Sequence, residues 1–141
     1  MTFHEFVGPL VEWGRHDGVG YVSMMRTQQV AARTVAQTLA ELATGPESAS
    51  AAGPSGVPIQ EIAGPREKSL LEMAKLLVAR RGEEVWIEGV SGFNGPADPD
   101  RELYESGAQL PGPEATLAGP TFEEWLDSTS GVVITDKGGN R

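Results

Sequence analysis

Two imidazole–carboxylate pairs, His4-Glu5 and His16-Asp17, are the residues of this chain with the most obvious capacity to hold a metal ion. His4-Glu5 begins like the helical zinc-protease motif, which needs a second histidine four places on, and Gly8 stands there instead. The two pairs meet only if the first helix folds back after Pro9, and two histidines without thiols make a poor ligand set. No serine sits on a nucleophile elbow, and no spaced carboxylate pair occurs in a recognisable setting. A dinucleotide site needs a Gly-rich turn between a strand and a helix, so that backbone N–H groups meet the pyrophosphate. Gly18-Val19-Gly20 leads into a strand, and Gly92-Phe93-Asn94-Gly95-Pro96 has no helix after it, so both read as turns.

Composition narrows the partners. The chain has 141 residues, a formal net charge of -9 and no cysteine, with Gly 18 and Pro 10. The negative charge repels phosphate backbones and anionic headgroups, which argues against nucleic acid as a partner. Without cysteine there are no disulfides and no thiolate chemistry, which fits a cytoplasmic setting. His4, Glu5 and Glu12 interrupt the N-terminal apolar residues, so no signal-peptide core is expected, and no run is long enough to span a membrane. Lys68, Lys75, Arg80 and Arg81 alternate with Glu72, Glu83 and Glu84 and read as a solvated helix face. Trp13, Trp86 and Trp125 fall where core anchors are expected.

The elements that must position these residues are short. Thr2 with Glu5 is a capping box for a helix carrying Phe3, Phe6, Val7 and Leu10, which Pro9 kinks or restarts. Val19–Val22 reads as a strand. Residues 32–43 read as a helix with Val35, Leu39 and Leu42 on one face, stopped by Gly45-Pro46. Ile59–Ile62 is a strand closed by Gly64-Pro65. Ser69 with Glu72 caps a helix to Arg81, ended by Gly82, with Leu70, Met73, Ala74 and Leu77 in one apolar stripe. Glu84–Glu88 alternates as a strand, residues 89–120 are mostly irregular with a helical turn over 100–106, and Thr121 with Glu124 caps a terminal helix. The expected class is α/β: few short strands, three to four helices and long loops, with residues 1–127 as one lobe, 44–57 as a flexible linker inside it and 128–141 as a polar tail.

Three stretches, taken in order, resemble the C-terminal part of NmrA-like, atypical members of the short-chain dehydrogenase/reductase superfamily, NAD(P)-binding oxidoreductases built on a Rossmann domain. They are Thr2-Phe3-His4-Glu5-Phe6; the segment from Gln28-Gln29-Val30-Ala31-Ala32 onward to Glu61-Ile62-Ala63-Gly64-Pro65; and Leu110-Pro111-Gly112-Pro113 with Thr121-Phe122-Glu123-Glu124-Trp125-Leu126. The chain departs from the family at Gln28-Gln29, where Gln-Pro is usual, and at Pro9. It also lacks the Tyr-x-x-x-Lys pair of typical members, since Met25 follows Tyr21 and Ala108 follows Tyr104 at that spacing. The resemblance implies the substrate-side lobe of such an oxidoreductase, without its nucleotide domain and not catalytic alone. It implies Phe3, His4, Phe6 and Gln28 as contacts to a small-molecule substrate, NAD(P) as a cofactor held elsewhere, and a partner nucleotide-binding domain or self-association. A non-catalytic redox-sensing or interaction module is the alternative. For the residues themselves, the alternative is a half-exposed His4, Phe3 and Phe6 in the core, and Gln28 at a solvent-facing strand end.

Overall fold

The computed structural model describes residues 3–45, 60–93, 95 and 97–130. Thr2, Ile59, most of the 44–57 linker and residues 131–141 lie outside them. Among the described residues the chain is mixed α/β, with five α-helices, a 3-10 turn and seven short strands.

The centre of the fold is α3 (Leu70–Arg81). Ser69 and Glu72 exchange side-chain-to-backbone hydrogen bonds as a reciprocal capping box, and Gly82, in the left-handed region, closes the other end. Leu70, Met73, Ala74, Leu77 and Val78 are buried on its inner face, so the apolar stripe of the sequence is the core face of the helix. They pack with Val7 and Val11 of α1 (Val7–Trp13), with Val22 and Ile87 from the sheet, and with Phe122 and Leu126 of α5 (Phe122–Ser130). Arg80 and Asp127 form an ion pair between α3 and α5.

The sheet under α3 is small. β1 (Arg15–His16) pairs antiparallel with β2 (Val19–Ser23), and β2 pairs parallel with β6 (Trp86–Val90), in register from Val19 opposite Trp86 to Ser23 opposite Val90. Two further pairs stand apart: β3 (Arg26–Thr27) antiparallel to β5 (Lys68–Ser69), and β4 (Ile62–Ala63) parallel to β7 (Thr116–Leu117). β7 lies in the stretch read as irregular. Its neighbours hold it, because Thr116 and Ala118 donate to the Glu61 and Ala63 carbonyls and the Gly112 N–H donates to the Glu61 carboxylate. α4 (Arg101–Ser106) matches the expected helical turn, and α5 continues past residue 127, where the sequence places the end of the lobe.

Pro9 is the third residue of α1, in a first turn whose N–H groups lack intrahelical partners anyway. The chain therefore enters as a 3-10 turn (His4–Phe6) and restarts as an α-helix without a broken hydrogen bond.

Several expectations of packing fail. Trp13 and Trp86 are 70% and 69% exposed rather than core anchors, and of the three tryptophans only Trp125 packs against the core. Trp86 sits at the first position of β6, on the face away from α3, where its indole N–H donates to Glu88. Phe6 is exposed as well. α2 (Ala32–Thr44) has no buried residue, and Leu39 and Leu42 face outward. Its amphipathic pattern is real, but nothing among the described residues covers the apolar side.

Gly64 is required by close approach. A Cβ there would lie 1.7 Å from the Gln29 carbonyl oxygen, where the Gly64 N–H donates to Gln28. Gly64→Ala is expected to cost about 3 kcal/mol because backbone must move, and Ser69→Ala about 1 kcal/mol through loss of the cap. Urea unfolding of the two variants beside the parent chain checks both the values and their order.

Candidate functional site

Phe3 forms a parallel bridge with Val30, and the His4 N–H donates to the Val30 carbonyl at 3.2 Å. This bridge brings the N-terminal cluster against the 28–32 segment. Glu5 then reaches α2, where its carboxylate accepts the Ala32 N–H at 3.1 Å. Ala31, at the N-cap position of α2, has no side chain able to cap. Glu5 supplies that function from a distant part of the chain, placing a negative charge at the positive end of the helix dipole.

His4 is 2% exposed. Its Nε2 lies 3.1 Å from the Pro120 carbonyl oxygen, and because a carbonyl only accepts, Nε2 carries the proton. The ring meets Phe122 edge-on at 5.4 Å and Trp125 at 5.7 Å, and Phe122 stacks on Trp125. In this tautomer Nδ1 is an acceptor, and it has no hydrogen-bond partner among the described residues. Burial pushes the imidazole below its ordinary pKa of 6.5, outweighing the Pro120 hydrogen bond and the nearby Glu5 and Glu123 charges, which act the other way. His4 is therefore neutral at physiological pH.

Of the four residues implied as substrate contacts, Phe3 and His4 stand together on the Val30 segment, with His4 enclosed rather than half-exposed. Phe6 turns away and sets its ring edge against Trp13 at 5.5 Å. Gln28 is half-buried, and its side-chain amide donates to the Gly64 carbonyl at 2.8 Å, which accounts for it as a bracket between segments. Among the described residues, Phe6 and Gln28 are thus engaged away from the His4 ring. Gln29, which sequence reasoning passed over, is 2% exposed, and neither its amide nitrogen nor its amide oxygen has a partner among the described residues. Its position beside Gln28 was visible, but its burial follows from the Gly64 approach and had no local signal.

The pairing of His4 and Glu5 with His16 and Asp17 as a metal site does not arise. His16 is exposed with its ring on Asp17, and no group of three potential ligands occurs among the described residues. A separate cleft of ≈ 190 Å³ opens where α1 passes over the ends of β2 and β6, walled by Leu10, Trp13, Tyr21 and Phe93, with Ser23 inside it. Glu123, near His4, pairs with Lys68 at 2.6 Å, and that hydrogen bond holds its carboxyl below the usual carboxylate range. Among the described residues, no helix is long and apolar enough to cross a membrane. No protein-family model, no curated protein and no solved structure matches this chain.

The lowered His4 pKa sets a pH window. An imidazole that binds protons more weakly when folded contributes fully above its unfolded value, near 6.5, and loses that contribution as pH falls below it. Stability is expected to decline as pH falls below about 6.5, above the range in which Glu123 protonates. Urea midpoints below that pH should fall for the parent chain and fall less for His4→Gln, which keeps an amide donor for Pro120.

Proposed function

We propose that this chain is the substrate-side lobe of an NAD(P)-dependent, NmrA-like atypical short-chain dehydrogenase/reductase, completed by a nucleotide-binding domain that it does not itself contain. The observation that carries this reading is the convergence on His4. The three separate stretches of resemblance meet there, through the Val30 carbonyl, the Glu5–Ala32 cap, the Pro120 carbonyl and the rings of Phe122 and Trp125. That stretches resembling one family in order also pack on one residue supports reading them as a single unit. The apolar face of α2 supports a missing partner, because Leu39 and Leu42 have nothing among the described residues to bury against. In this reading the other domain holds NAD(P) and supplies the hydride, while this lobe helps enclose a small-molecule substrate.

A non-catalytic, redox-sensing or interaction module is the second reading. It is favoured by the enclosure of His4, whose Nδ1 is sealed from solvent and has no hydrogen-bond partner among the described residues.

Calorimetry with NADPH and NADH is expected to show no saturable binding to this chain alone. Fusion behind the Gly-rich nucleotide-binding domain of an NmrA-like reductase is expected to give a folded protein that binds NADPH, and turnover of a small carbonyl compound would separate the first reading from the second. Micromolar binding by the isolated chain would overturn the assignment of the cofactor to another domain. Light scattering should show a mass that rises with concentration and falls when Leu39→Lys and Leu42→Lys are combined. A strict monomer with a sharp, concentration-independent melt would remove the need for a partner.

A further inference from the structure

The cleft under α1 has features of a ligand site that the convergence on His4 does not use. Its floor is aliphatic, with Leu10 from α1 and Leu70 from α3, and its rim is aromatic, with Trp13, Tyr21 and Phe93. All three rim residues are substantially exposed. Phe6 braces the Trp13 ring from the side in a T-shaped contact, so the indole is held as a wall. Trp13, expected in the core, is thus placed at the edge of a cavity.

The cleft also has one directed polar group. Ser23 is 8% exposed, and its Oγ accepts the Met25 N–H at 3.2 Å. The oxygen is engaged, so the hydroxyl proton remains to be donated into the cleft. Ser23 is the last residue of β2 and stands opposite Val90, the last residue of its parallel neighbour β6, and both line the cavity. The carboxyl ends of parallel strands are where open α/β sheets bind ligands. Among the described residues, no Asp, Glu, Lys, Arg or His lines the cleft, so it offers nothing to balance a charge. Its ≈ 190 Å³ is more than the ~150 Å³ cavity that accepts benzene and less than the ~300 Å³ at which drug-sized pockets begin.

We infer that this cleft is a binding site for a small, neutral, single-ring aromatic compound bearing a hydrogen-bond acceptor, stacked between Trp13 and Phe93 and fixed by the Ser23 hydroxyl. The site lies within this chain and stands whether or not a nucleotide domain completes it.

Benzamide is the probe, followed through backbone amide NMR shifts of the full chain. Saturable shifts are expected at Tyr21, Ser23 and Val90. Cyclohexanecarboxamide, with the same amide and no aromatic ring, and benzoate, with the ring and a charge, are expected to bind at least about fivefold more weakly. Trp13→Ala and Phe93→Ala, both at exposed positions, should each weaken benzamide about fivefold without lowering the urea midpoint. Ser23→Ala should weaken benzamide about fivefold and leave toluene binding unchanged. No saturation up to the solubility of benzamide, shifts centred away from β2 and β6, or equal binding of cyclohexanecarboxamide would overturn the inference.

Discussion

One imidazole holds the ends of this fold together. His4 bonds through its main chain to Val30 and through its ring to Pro120, and it packs on Phe122 and Trp125. The N-terminal turn, the 28–32 segment and α5 are thereby joined at one buried point. Because the ring is enclosed, its single donor is worth more than it would be in water. Glu5, the next residue, extends the same junction to the start of α2.

The junction works because α3 gives it something to close over. α3 has its cap, its terminator and its apolar stripe in one continuous segment, and α1, the sheet and α5 pack around it. The ion pairs around it add little by comparison. Arg26–Glu67, Arg15–Glu12 and Lys68–Glu123 involve partly exposed side chains, where solvent screening leaves each a small contribution. Shape and enclosure, more than charge, set the arrangement.

What the sequence made legible was whatever is encoded locally. The Ser69–Glu72 and Thr121–Glu124 boxes, the Gly82 stop and the β2 strand all rest on residues within a turn or a strand of one another, and the structure has each of them. What it hid depends on neighbours distant in the chain. β7 exists because Glu61 and Ala63 offer hydrogen bonds to a segment with no strand pattern of its own. Trp13 and Trp86 were assigned to the core by residue type, but type alone cannot say which side of α1 or β6 meets α3. For α2 the pattern was right, but an apolar stripe shows that a helix has a face to bury without showing what covers it. His4 was singled out for chemistry, and its burial arises from Pro120, far along the chain.

The parallel pairing of β2 with β6 also shapes how the chain reaches this state. Ser23 closes one strand and Trp86 opens the next, so the ladder cannot form until the whole intervening stretch, α2 and α3 included, has been looped back. Loop-closure entropy opposes that step, and non-local pairings of this kind slow folding. Before that closure only β1 pairs with β2, so the other edge of β2 is open to pairing with another chain.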